Sequence, residues 1–173
     1  MITGLFLFII GLTIVERLVE LRLGKRNLAW SLENGGVESG QGHWPWMVTL
    51  HTLFLGAMLA EALFMTTIAH TLMTVAAVSV AAAAQGLRWW CIRTLGQRWN
   101  PRVVVVPNLP RIQNGPYRFL NHPNYVAVAA EGIALPMIHG CWRTAVGFTV
   151  LNAILMVVRV RCENEALAAL ESS

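Results

Sequence analysis

The chain has 173 residues, of which 55% are hydrophobic and 13% charged, with a mean hydropathy of +0.54. Charged residues stand at half the roughly 25% share of a soluble domain, too few to clothe a water-soluble globule, and the same figures exclude a disordered chain. The net charge of +4 does not point to nucleic acid, because the arginines fall between long uncharged apolar runs, and Cys91, Cys141 and Cys162 lie too far apart for a disulfide framework or a metal site.

The expected fold is an all-α integral membrane protein, a single membrane domain over residues 1–173. A helix needs about 20 residues to cross a hydrocarbon layer of roughly 30 Å. Residues 2–15 carry no charge, and their apolar character runs on to Leu23. Residues 44–60 are uncharged, and residues 62–87 form an uncharged run of 26 residues. Residues 125–142 hold one charge, Glu131, and residues 144–158 hold none. About five spans are expected, at 2–23, 45–66, 71–92, 123–139 and 142–162, three of them within 1–92 and two within 93–173. The first is not read as a cleaved leader: it lacks a basic start, and Glu16, Arg17, Glu20 and Arg22 stand where a small-residue cleavage site belongs. With five spans, twelve of the 13 basic residues fall on one side and only Arg143 on the other. That bias puts the N-terminus outside and the C-terminus inside, with the long connections in the cytoplasm.

Between the first two spans, residues 24–43 read as a polar loop with a turn at Asn34-Gly35-Gly36. His43 and His51 flank the start of the second span, as structural histidines or as proton acceptors at its cytoplasmic mouth. Residues 93–122 hold five arginines, no acid and four of the seven prolines. Such a long connection is usually functional or disordered. Trp99, Tyr117, Phe119 and the run Val103-Val104-Val105-Val106 need burial, so a folded cap at headgroup level is expected, attracted by anionic lipid.

The densest polar cluster, from Asn114 to Tyr125, closes that cap. His122-Pro123 opens the fourth span with proline in the first helical turn, where free N–H groups suit an anionic group. Tyr117, His122, Asn124 and Tyr125 add hydrogen bonds and aromatic walls; the plainer alternative is an interfacial aromatic belt with a helix cap. In the fifth span Asn152, Arg159 and Glu163 share one helix face, and Arg161 and Glu165 pair on another. Glu131 and Glu61 fall inside spans, where an ionisable group is functional or paired by default, with a packing role the simpler account of Glu61 near its span's outer end. Glu16 and Glu20 share a face and call for a cation such as Arg17.

Gly115-Pro116-Tyr117-Arg118-Phe119-Leu120-Asn121-His122-Pro123-Asn124-Tyr125, followed by Arg159-Val160-Arg161-Cys162-Glu163-Asn164-Glu165-Ala166-Leu167, resembles the isoprenylcysteine carboxyl methyltransferase family. That family's pattern is Gly-Pro-Tyr-x-x-x-Arg-His-Pro-x-Tyr, then Arg-x-x-x-Glu-Glu-x-x-Leu. Leu95-Gly96 with Trp99 is similar to its upstream element. The rest of the chain looks like a bacterial branch, some of whose members are thought to methylate alkylresorcinols or alkylpyrones. The resemblance implies a cytoplasmic cap that binds S-adenosyl-L-methionine, with S-adenosyl-L-homocysteine as product. It also implies a lipophilic acceptor entering from the bilayer: a phenolic lipid, or the carboxylate of a prenylated cysteine. It places Tyr117, His122 and Tyr125 at the donor, Pro123 shaping the site, Glu163 on the donor's ammonium with Asn164 beside it, and Arg159 orienting the whole. Asn121 stands where the family has Arg, and Asn164 where it has a second Glu. A phenolic acceptor gains from a general base, for which His43, His51 and Glu131 are the candidates. A small transporter using Glu61 and Glu131 is the competing expectation.

Overall fold

The computed structural model describes residues 2–107 and 109–171, with side chains from 3 to 168. Five helices carry the fold: α1 (Ile2–Glu33), α2 (Trp44–Phe64), α3 (Thr71–Leu95), α4 (Pro123–Met137) and α5 (Trp142–Glu171). The all-α expectation holds, with one small ribbon added to it: β1 (Val37–Ser39) pairs antiparallel with β2 (Val103–Val105) in the register Val37↔Val105, Glu38↔Val104 and Ser39↔Val103. Among the described residues, three helical stretches are long and apolar enough to cross a membrane: Gln41–Phe64, Thr71–Arg98 and Trp142–Ala168.

The first connection is shorter than the polar reading of 24–43 implied. Lys25, Arg26 and Asn27 do not break a helix, and α1 continues to Glu33, ending at Asn34-Gly35-Gly36. Gly35 takes φ +76, a conformation that favours glycine. The extra turns matter because they pack on the cap. Gly24 lies against the Pro101 ring so closely that a side chain there would collide with it. Asn27 Nδ2 donates to the carbonyls of Trp99 at 2.6 Å and Gly96 at 3.1 Å. α5 likewise outruns its expected end at 162 and reaches Glu171. α4 is the short helix, 15 residues, or about 22 Å at 1.5 Å per residue.

Phe6 and Ile10 of α1, Phe54 and Met58 of α2, Ala77 and Ala81 of α3, and Ala134 and Leu135 of α4 form one apolar core, joined by Phe148 of α5. Alanines on the inner face of α3 let α4 approach closely. Outward-facing Phe8, Phe64, Leu72, Val150 and Ile154 are exposed, as a lipid-facing surface requires.

Polar side chains then lock the helices. Arg88 of α3 meets Glu20 of α1 through two hydrogen bonds, at 2.5 and 2.7 Å. Arg17 reaches Glu20 at 2.9 Å and Glu131 of α4 at 3.5 Å, and Arg88 lies 3.8 Å from Glu131. Trp89 donates its indole N–H to Glu16. At the opposite end Glu61 caps α5: its carboxylate accepts from the backbone N–H of Arg143 at 3.2 Å and of Thr144 at 2.8 Å, and from the Thr144 hydroxyl at 2.7 Å. Glu61 therefore satisfies orphan helix donors, a packing role. His139 bridges Thr3 at 3.1 Å and Thr67 at 3.0 Å, tying α1 to the turn after α2.

Candidate functional site beneath the cap

The cap is built from parts with little structure of their own. β2 gains a partner in β1, and the ion pair of Arg102 with Glu38 at 2.9 Å closes the ribbon. The same guanidinium sits 5.0 Å over the Trp44 ring at the start of α2. Arg98 donates to the Pro110 carbonyl at 2.7 Å, gathering the proline-rich stretch inward. Gly115 (φ +55) then turns the chain back against Thr94 of α3, an approach that leaves no room for a side chain. The turn Gly115–Arg118 follows and delivers Tyr117 to the inside. Burial, together with the neighbouring Cys91 thiol, pushes the Tyr117 phenol well above its ordinary range, so it stays a neutral hydroxyl.

Under this roof lie two adjoining cavities that share Leu95, Arg98, Tyr117, Asn121 and Glu163 among their walls. The outer one, about 440 Å³, runs along Val104, Val106, Leu109, Ile112 and Leu167, with Arg98 and Arg111 as its cations. The inner one, about 100 Å³, is lined by Trp99, Asn100, Arg102, His122, Asn124, Tyr125 and Arg159.

Five residues, from the start of α4 and from α5, interlock at that inner wall. Pro123, buried, starts α4 and sets His122 and Tyr125 one turn apart. Their rings stack at 5.3 Å with 12° between planes. The Tyr125 hydroxyl donates to Glu163 and accepts from Arg159 Nε at 2.7 Å. The Arg159 guanidinium also lies 5.2 Å over the Tyr125 ring and contacts Met47 Sδ at 2.8 Å. His122 Nδ1 is 3.7 Å from Glu163, and its Nε2 meets Asn164 Oδ1 at 3.2 Å. Both departures from the family pattern have a place here: Asn164 orients His122, and Asn121 lines both cavities. Among the described residues lining the two cavities, Glu163 is the one acid, set against several arginines.

The remaining candidates lie apart from this cluster. His51 and Glu131 line a separate cavity of about 30 Å³ with Arg17, Phe54 and Phe148. His43 packs with Cys162 on Gly40 at the foot of α2. Asn152 is buried on α5, seven residues before Arg159. Sequence reasoning did not single out Arg98, Asn100 and Arg102. Their signal was position alone, directly around Trp99, and polar residues in a proline-rich basic stretch do not announce which way they face.

The isoprenylcysteine carboxyl methyltransferase (ICMT) family matches residues 77–169, from α3 through the cap to the end of α5. The chain is also 32% identical to "Uncharacterized protein YpbQ" of Bacillus subtilis (strain 168) over 163 residues, which is 94% of this chain and 96% of that protein. The matched stretch contains the glycine-proline turn, the histidine-proline helix start and the α5 carboxylate that meet at the inner wall, and the chain belongs to this family of membrane methyltransferases.

Proposed function

We propose that the protein is an integral membrane enzyme that takes S-adenosyl-L-methionine from the cytoplasm, methylates a lipophilic acceptor from the bilayer and releases S-adenosyl-L-homocysteine. The observation that carries this reading is Glu163, a lone carboxylate set among arginines and stacked aromatic rings where the cap meets α4 and α5. The residues fit such a donor. Glu163 suits an ammonium group, Arg98 and Arg111 suit a carboxylate, and Tyr117, His122 and Tyr125 offer flat walls. An outer cavity of about 440 Å³ falls within the roughly 300–1,000 Å³ of small-molecule sites.

The bound sulfonium supplies an electrophilic methyl for direct displacement. The chain's contribution is alignment, which supplies much of the rate in such a reaction. Arg159 holds the Tyr125 hydroxyl, Tyr125 holds Glu163, and Asn164 holds His122, so each group facing the donor is fixed by another. Polar groups fixed in advance need no rearrangement to meet charge as it develops. In this reading α1 and α4 complete five crossings with the N-terminus outside, and the cap faces the cytoplasm of the cell membrane. The favoured acceptor is a phenolic lipid of the alkylresorcinol or alkylpyrone type rather than a prenylated cysteine carboxylate, since the short connections leave little surface to grip a protein. His43, His51 and Glu131 remain the proposed proton acceptors for a phenol, a role that requires the acceptor's hydroxyl to come within hydrogen-bond reach of one of them, directly or through one water.

Calorimetric titration of the detergent-solubilised protein with S-adenosyl-L-homocysteine tests the reading. Glu163→Gln keeps the shape and removes the charge. It is expected to weaken binding about tenfold or more, because hydrogen bonds to charged groups contribute about 1.5–3 kcal/mol. His122→Ala should weaken it as well. No binding by the unaltered protein at saturating ligand overturns the proposal.

A further inference from the structure

We propose that the exposed turn Arg118-Phe119-Leu120 is a bilayer anchor: its two apolar side chains enter the cytoplasmic interface, and Arg118, with Arg93 on neighbouring α3, takes the phosphate of an anionic lipid. This inference rests on the membrane part of the reading above and goes beyond the methyl transfer.

α3 sets the depth of this turn. The Thr74 hydroxyl donates to the carbonyl of Ile138, just past the end of α4, at 3.0 Å, so α3 and α4 are level there. Exposed Trp142 and Arg143 follow closely, an aromatic and a basic residue of the kind that marks a membrane boundary. From this level α4 rises through 15 residues, about 22 Å. Thr94, against which Gly115 packs, lies about 20 residues up α3 from Thr74, or about 30 Å. The chain from Gly115 to His122 therefore descends about 8 Å beside the last part of a hydrocarbon layer of roughly 30 Å. Side chains that point outward there meet lipid and headgroups rather than open water.

The residues of the turn divide by face. Tyr117 and Asn121 line both cavities. Between them Arg118 is exposed, Phe119 is 72% exposed and Leu120 42%. Two adjacent apolar side chains this exposed gain by leaving water. Exposed Trp90 lies beside Gly115 and extends the apolar surface with an indole, a group enriched at headgroup level. The charges agree. Of the five arginines in residues 93–122, Arg98 donates to Pro110, Arg102 pairs with Glu38 and Arg111 lines the outer cavity. Arg93, one turn along α3 from Trp90, and Arg118 are left exposed in a stretch with no acid. The Arg118 guanidinium lies 5.9 Å over the Phe119 ring, so ring and charge reach the interface together, the stem among the tails and the head at the phosphates. An anionic leaflet attracts each such arginine. The turn thus meets lipid on one side and walls the cavities on the other, and a single turn of chain separates the two.

The test places a nitroxide at Phe119→Cys, Leu120→Cys, Gln97→Cys or Ile154→Cys of the full chain. Cys162→Ser leaves only the buried native thiols Cys91 and Cys141. The protein is reconstituted in vesicles of phosphatidylcholine and phosphatidylglycerol, with oxygen reporting lipid and a nickel chelate reporting water. Positions 119 and 120 should favour oxygen over nickel several-fold more than exposed Gln97 on the cap, and less than lipid-facing Ile154. Water-like values at both 119 and 120, with a lipid-like value at 154, overturn the anchor and leave the membrane reading intact. A water-like value at 154 removes the membrane reading itself. Headgroup pairing has its own readout, because the Phe119 and Leu120 N–H groups donate to the Pro116 carbonyl and exchange only when the turn opens. Hydrogen–deuterium exchange over residues 117–122 should be about fivefold slower with phosphatidylglycerol than in phosphatidylcholine alone, the scale of one arginine at an anionic surface. Arg118→Gln should abolish the difference. Equal exchange of the unaltered protein in both vesicles overturns the pairing.

Discussion

The Tyr125 hydroxyl stands between an anion and a cation, donating to Glu163 and accepting from Arg159. The sequence places these three in the right elements, because a histidine-proline start and an i,i+4 Arg–Glu pair each have a recognisable spacing. It does not show that the phenol joins them, since that contact spans 34 residues to Arg159 and 38 to Glu163. The chain has two tyrosines, so Tyr125→Phe leaves Tyr117 alone and visible. Burial and the Cys91 thiol hold Tyr117 above its ordinary value. In that variant, near-ultraviolet titration is expected to show no tyrosinate about one unit above the usual phenol value near 10, and a full tyrosinate signal only after denaturation. The unfolded chain loses this proton first, so the contribution of Tyr117 is complete below about pH 10 and declines as pH rises beyond it.

At the scale of elements, the cap depends on α1 more than its sequence suggests. Lys25-Arg26-Asn27 reads as the start of a polar loop because three polar residues in a row end the apolar run, yet no breaker occurs between them and Asn34-Gly35-Gly36. The ribbon was hidden for another reason: three-residue strands are too short to show a period of two, and only the Val103–Val106 run hinted at burial. Asn27, on the extended part of α1, satisfies two carbonyls of the turn that begins the cap. Asn27→Leu leaves the Trp99 carbonyl unpaired, while the Gly96 carbonyl keeps the Trp99 N–H, at a cost of about 1–3 kcal/mol. Hydrogen–deuterium exchange over residues 96–106 should quicken in this variant, with weaker S-adenosyl-L-homocysteine binding and unchanged protection in α3. Unchanged exchange in the cap would show that α1 does not hold it.

Across the whole molecule, the bundle is fastened by charge as well as by apolar packing. The sequence showed Glu16 and Glu20 on one face and asked for a cation nearby, and it marked Glu131 as an acid that must be paired. It could not name Arg88, because nothing local connects residues 68 positions apart. The structure resolves the expectation into a cluster in which Arg17 and Arg88 lie among Glu16, Glu20 and Glu131. Most of the pairing of Arg88 comes from Glu20, which takes both of its hydrogen bonds, whereas Glu131 stands farther off. Glu20→Leu therefore strands a buried guanidinium, and removing one partner of a buried pair costs about 3–5 kcal/mol. Replacing both charges by apolar side chains of similar size is often near neutral. Glu20→Leu should lower the thermal midpoint in detergent sharply, and adding Arg88→Leu should recover much of the loss. If the double variant is no better than the single, Arg88 is held by Glu131 and Glu16 rather than by Glu20, and α1 docks through its apolar stripe of Phe6 and Ile10 instead.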